Sequence, residues 1–232
     1  MSTINSHPPL IETPVLYSFR RCPYAMRARM LLYATKLKIE LRDILLKDKP
    51  EHMLSKSPKA TVPVLVLETG VVLEESLDIM MWAISLGDPL NLYPADAVRR
   101  GAIDALISEN DGSFKSSLDR YKYHVRFPEN TKEDYRAEGE KFLRKLEERL
   151  VQHSYLMGDD ITLADIAIFP FIRQFANSDR DWFDTADYPA LQKWLDSWVK
   201  SDDYLHIMKK RHIWQVGAAP CYFPALLAAE EI

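Results

Sequence analysis

Val15-Leu16-Tyr17-Ser18-Phe19-Arg20-Arg21-Cys22-Pro23-Tyr24-Ala25-Met26 joins an apolar extended run to a cysteine, and that cysteine to a proline. The pattern predicts a strand over 15–19 and a helix over 23–35. Proline lacks an N–H and has its φ preset, so it suits the first helical position. Cys22 then stands at the helix N-terminus, where unpaired N–H groups carry partial positive charge and a thiolate is held at low cost. A second cysteine three places on would mean dithiol redox chemistry, but Ala25 occupies that place. A resolving thiol must therefore come from elsewhere, and a small soluble thiol is the obvious supplier. Most lone cysteines are inert core residues; the strand, Cys-Pro and helix setting argues against that here.

Outward from this stretch, residues 39–45 read as extended and 50–56 as a short polar helix. Thr61-Val62-Pro63-Val64-Leu65-Val66-Leu67 follows. A proline opening such a run belongs at a strand start or edge, and Pro63 is a candidate for a cis bond that presents the preceding backbone to a ligand. Thr69-Gly70 turns the chain into 71–73 and makes a hairpin. Glu75-Ser76 opens a helix with Leu77, Met80, Met81 and Ile84 at helical spacing. This order predicts a thioredoxin-like α/β domain over 13–86.

Gly87-Asp88-Pro89-Leu90-Asn91-Leu92-Tyr93-Pro94 is a turn-rich break, read as a linker over 87–94. Beyond it the periodicity is helical, with core stripes such as Tyr135, Phe142, Leu143, Leu146 and Leu150. Thr162-Leu163-Ala164-Asp165 begins another helix in a variant of the capping box, and Pro170 is expected to kink it. The fold class is an α/β thioredoxin-like N-terminal domain followed by an all-α helical C-terminal domain over 95–217, with a tail over 218–232.

The 232 residues are enough for two modest cores, and 47% hydrophobic with 28% charged residues is an ordinary globular composition. A net charge of −4 argues against a general nucleic-acid partner, and Lys209-Lys210-Arg211-His212 reads as a solvated helix end. No apolar run approaches the roughly 18 residues that span a bilayer, so no membrane partner is expected. Residues 1–14 lack the basic region and apolar core of a leader. Cys22 and Cys221 cannot build a disulfide framework, so the expected compartment is the reducing cytoplasm. The histidines His7, His52, His124, His153, His206 and His212 show no ligand spacing, and no metal is expected. Cys221 reads as a free thiol in the tail.

Cys22-Pro23-Tyr24-Ala25, Val62-Pro63, Glu75-Ser76 and Thr162-Leu163-Ala164-Asp165 occur together, in the order seen in cytosolic glutathione transferases. The chain resembles that superfamily over 13–217, and within it the cysteine-type branch, near the omega class and its bacterial relatives. The resemblance implies that Cys22 is catalytic and that glutathione is the co-substrate. It implies that Lys49, in Lys49-Pro50-Glu51, meets the glycyl carboxylate, and that Val62 before Pro63 pairs with the cysteinyl backbone. Glu75 and Ser76 would hold the γ-glutamyl end, while Tyr24 and Trp214, the latter followed by Gln215 and Gly217, would line the second-substrate pocket. Taken singly, Glu75-Ser76 reads as a helix cap and Lys49 as a solvated lysine. Tyr17, Phe114, Tyr121 and Phe171 read as core. Superfamily members usually pair as dimers, so a homodimer is expected.

The function expected is a glutathione-dependent thiol transferase acting through a Cys22–glutathione mixed disulfide. Deglutathionylation, dehydroascorbate reduction and reductive deglutathionylation of S-conjugates share that intermediate, so its partners would be a glutathionylated substrate, a small oxidant or an electrophile. Conventional conjugation of glutathione to electrophiles and a non-enzymatic scaffold are the alternatives. Retention of every glutathione-contact position argues against the scaffold.

Overall fold

The computed structural model of the chain describes residues 13–224. The reading of residues 1–12 as leader-free, and the part of the tail over 225–232, lie outside the described residues. The chain forms two compact units, one holding residues up to Leu86 together with those from Ile207 onward, the other Gly87–His206.

In the first unit β1 (Val15–Ser18) is followed by α1 (Pro23–Ala34), β2 (Ile39–Asp43), α2 (Glu51–Lys56), β3 (Val64–Val66), β4 (Val72–Leu73) and α3 (Ser76–Leu86). β1 and β2 are parallel, with Val15 opposite Glu40 and Ser18 opposite Asp43. A parallel pair needs a crossover, which α1 supplies. β1 and β3 are antiparallel, with Tyr17 opposite Val64. The β3–β4 hairpin turns at Gly70, whose φ of +84° is open to glycine without strain. Val15 and Tyr17 share one face of the sheet and join Ile44, Met53, Val62, Val64 and Val66 in a buried cluster, with Met53 brought in by α2. α1 and α3 pack against each other.

The fifth strand, β5 (Tyr222–Phe223), closes the sheet at its β2 edge, giving the order β4-β3-β1-β2-β5. Phe223 lies opposite Ile39, and the Leu41 N–H donates to the Cys221 carbonyl at 2.7 Å. Phe223 is buried against Tyr33, ring centroids 6.0 Å apart. The sequence reading assigned 95–217 to the helical domain and 218–232 to a separate tail. Instead the chain from Ile207 belongs to the first unit, because these edge hydrogen bonds and that from the Trp214 N–H to the Asp43 carbonyl (2.8 Å) tie it there. Residues 209–212 follow the last helix rather than ending it, and the Arg211 guanidinium lies 5.3 Å over the Phe223 ring instead of being wholly solvated.

The second unit is helical: α4 (Ala97–Glu109), α5 (Lys115–Lys122), α6 (Lys132–Gln152), α7 (Leu163–Ala176), α8 (Arg180–Thr185) and α9 (Pro189–Lys200). A π-helical turn, Asn110–Phe114, joins α4 to α5, and α10 (Asp202–Ile207) leads back to the first unit. Tyr135, Phe142, Leu143, Leu146 and Leu150 form the buried stripe of α6. Gly139 lets α6 approach the ring of Phe175, since a Cβ there would lie 2.4 Å from it. α7 continues through Pro170 without a break. At its start the buried Asp165 carboxylate accepts from the Thr162 N–H and hydroxyl, each at 2.9 Å.

Candidate functional site

The antiparallel pairing of Tyr17 with Val64 brings the end of β1 beside the start of β3, so the turn that carries Cys22 meets the turn that carries Val62-Pro63. Cys22 is the N-cap of α1 in an extended conformation (φ −71°, ψ 125°), with Pro23 in the first turn. Its N–H donates to the Phe19 carbonyl at 3.0 Å and its carbonyl accepts from Met26 at 2.8 Å. The Val62-Pro63 bond is cis. The Cys22 Sγ, partly exposed, lies 3.7 Å from the Val62 carbonyl oxygen. The helix N-terminus sets partial positive charge beside the sulfur.

Ser76 is the first residue of α3 and is buried. Its Oγ accepts from Nε of Arg27, an arginine buried on α1, at 3.0 Å. The Arg27 guanidinium lies 5.2 Å over the Tyr24 ring. Glu75 pairs with the exposed Lys59, and hydrogen bonding to Glu75 holds the Lys59 ammonium above its ordinary value. Glu74 accepts from the Ser57 hydroxyl. The result is a cavity of about 470 Å³ lined by seven residues singled out from sequence: Cys22, Tyr24, Lys49, Val62, Pro63, Glu75 and Ser76. Sulfur, peptide edge, helix start, carboxylate and ammonium thus face one volume, a set suited to an extended zwitterionic peptide.

Trp214 is not among them. It lines a second cavity of about 680 Å³, so Tyr24 and Trp214 do not share a pocket. The 44–50 loop separates the two, with Leu46 and Lys49 on the thiol cavity and Leu45 and Asp48 on the other. The Trp214 ring meets Tyr17 edge-on at 6.1 Å and His52 at 6.5 Å, with the Arg42 guanidinium 4.3 Å over it. Tyr17, Phe114, Tyr121 and Phe171 are buried core.

Sequence reasoning missed Arg27 and Lys59. A charge among Met26, Ala28, Leu31 and Leu32, all buried on α1, was the available signal for Arg27. Lys59 sits in a surface turn with no pattern to mark it. Among the described residues no group of three or more His, Cys, Asp or Glu could hold a metal ion, and no helix is long and apolar enough to cross a membrane.

The family model for the N-terminal domain of glutathione S-transferases matches residues 16–88, and that for their C-terminal domain matches 129–197. The chain belongs to the glutathione S-transferase family. It is 29% identical over 192 residues to a probable maleylacetoacetate isomerase of Caenorhabditis elegans, covering 78% of this chain and 86% of that protein. It is likewise 29% identical over 163 residues to mouse glutathione S-transferase omega-1, covering 68% of this chain and 65% of the relative. The fold matches a glutathione transferase family member from Pseudomonas fluorescens solved with two glutathione bound, at TM-score 0.74 and 21% identity, over 85% of this chain and 92% of that one. This transferase therefore carries the two-domain glutathione S-transferase fold expected from its element order.

A pH dependence arises at His52, which lines the second cavity with Trp214. His52, which bonds Tyr17, has its imidazole pushed below the ordinary 6.5, first by burial and then by the Arg42 charge. Below about pH 6.5 the unfolded chain therefore takes up this proton before the folded one, and stability falls as pH drops from there toward the folded value. His52→Gln is expected to remove that share of the loss. Urea midpoints at pH 7 and pH 5 measure it, and equal drops in both proteins would rule it out.

Proposed function

We propose that this protein is a cysteine-type glutathione transferase that performs thiol transfer. The supporting observation is the Cys22 sulfur at the N-terminus of α1, 3.7 Å from the Val62 carbonyl, in a cavity that also carries Lys49, Glu75 and Ser76. The Cys22 thiolate attacks the sulfur of a disulfide R–S–S–G. An S–S bond to Cys22 forms, the substrate S–S bond breaks, and R–S⁻ leaves with the electron pair and takes a proton. A second glutathione thiolate then attacks the mixed disulfide, releasing oxidised glutathione and the Cys22 thiolate. Val62 would pair with the cysteinyl backbone, holding the glutathione sulfur near Cys22. The γ-glutamyl carboxylate suits the start of α3, with the Ser76 hydroxyl and free N–H groups as donors, and Glu75 accepts from the ammonium. Lys49 faces the glycyl carboxylate. We place the enzyme in the cytoplasm, where a free Cys22 stays reduced.

Side-by-side assay with a glutathionylated peptide, dehydroascorbate and an aryl halide tests the reaction. Turnover of either of the first two supports thiol transfer; turnover of the aryl halide alone assigns conjugation instead. Ser76→Ala and Glu75→Ala are each expected to weaken glutathione by about 1–3 kcal/mol, the cost of a lost charge-assisted hydrogen bond, and Lys49→Ala by less. Calorimetry with unchanged affinity in all three would remove the binding site proposed here.

The protein is further proposed to be a homodimer with each thiol site built from one chain. The seven site residues on the cavity all come from the first unit of the same chain. Light scattering at micromolar protein should give twice the chain mass of 26.9 kDa, and the single mass would refute the dimer.

A further inference from the structure

The 680 Å³ cavity shares no lining residue with the thiol cavity, and its volume falls in the range of roughly 300–1,000 Å³ usual for small-molecule sites. Its polar chemistry is set from beneath by β1 and β2. Glu40 holds the Arg42 guanidinium through two bonds, of 2.7 and 3.1 Å, and Arg42 Nη1 donates to the Tyr17 hydroxyl oxygen at 2.7 Å. A guanidinium can only donate, so the Tyr17 oxygen accepts. Tyr17 is fully buried and burial raises its phenol above the ordinary value, so it keeps its proton and needs an acceptor for it. Nδ1 of His52 is that acceptor. His52 is neutral at pH 7, as its lowered titration requires, so its single ring proton sits on Nε2. That N–H has no partner among the described residues. The chain Arg42, Tyr17, His52 thus fixes one hydrogen-bond donor on the cavity wall.

The aromatic wall is equally committed. Trp214 is held by its backbone bond to Asp43, by Arg42 over its ring and by Tyr17 at its edge. Asp48 and Glu51 line the same cavity, and their carboxylates make no hydrogen bond or ion pair among the described residues. No lysine or arginine lines it, and the Arg42 guanidinium stands over the Trp214 ring.

We propose that this cavity binds a flat, uncharged or cationic nitrogen heterocycle bearing an amino group beside a ring acceptor. The ring lies on Trp214, the acceptor takes the His52 Nε2–H, and the amino group donates to Asp48 or Glu51. This is a ligand site separate from the thiol chemistry.

Fluorescence titration of the full chain with pterin, an uncharged bicyclic amino heterocycle, tests the assignment. Saturable binding is expected that saturating glutathione does not displace. His52→Ala, on an exposed helix position, and Trp214→Ala are each expected to weaken it tenfold or more. Tyr17→Phe, which frees the His52 tautomer without touching the ligand, is expected to weaken it several-fold. Absence of saturable binding at millimolar pterin, displacement by glutathione, or full affinity in both the His52 and Trp214 variants would overturn the proposal.

Discussion

Replacement of Cys22 by serine is expected to lower turnover of a glutathionylated peptide by roughly 10³-fold or more, the scale seen when an enzyme loses its nucleophile. A serine hydroxyl fits the same space at the N-cap of α1 but cannot form a disulfide. Cys221 offers no substitute, since it lies exposed beside β5 and does not line the thiol cavity. Glutathione affinity should change little, because the tripeptide is held in this reading by Val62, Ser76, Glu75 and Lys49. Wild-type protein treated with oxidised glutathione should gain one glutathionyl group at Cys22, read by mass spectrometry, and the variant none there. Undiminished turnover in Cys22→Ser would move the chemistry to the bound thiol and sink the mixed-disulfide mechanism.

The largest expected effect on stability is at Asp165. Its Oδ1 accepts from the Leu156 N–H at 2.9 Å and the Trp194 indole at 3.2 Å, and its Oδ2 from the Thr162 N–H and hydroxyl. The side chain is fully buried. Burial raises its carboxyl above the ordinary value, and these donors pull against that rise. Asp165→Ala would strand the Leu156 N–H, the Thr162 N–H and the indole in the interior at once. At roughly 1–3 kcal/mol for each unmet donor, with incomplete additivity, a loss of about 3–5 kcal/mol is expected. Thr162→Val, which removes only a hydroxyl, should cost about 1 kcal/mol. Urea unfolding followed by circular dichroism measures both. Equal losses in the two variants would show that the carboxylate is not the organising group.

The strand-to-helix order of residues 13–86 was readable because each element announces itself locally. The apolar run over 15–18, proline at the start of α1, and the turn at Thr69-Gly70 each follow from the chemistry of near neighbours. The capping box at Thr162 and Asp165 was readable for the same reason, though not its further bonds to Leu156 and Trp194, which lie 9 and 29 residues from Asp165. The thiol cavity was legible in outline: Cys22, Val62-Pro63 and Glu75-Ser76 each stand at the end of an element, where backbone groups are free, and β1–β3 pairing brings the first two together.

What the sequence determined by itself was the class of fold, the thiol at a helix start and the cis bond at Pro63. Tertiary structure alone decided the rest. Arg27 reaches Ser76 across 49 residues, and Tyr17 joins His52 across 35, contacts no periodicity encodes. Strand β5 has only two residues, too few for alternation to show, and exists because the β2 edge offers unpaired N–H and carbonyl groups to the returning chain. That return ties Trp214 to Asp43 and so places it on the far side of the 44–50 loop from Tyr24. Local propensity is written in adjacent residues, whereas the position of a side chain on one cavity or another depends on which distant backbone groups are left to pair.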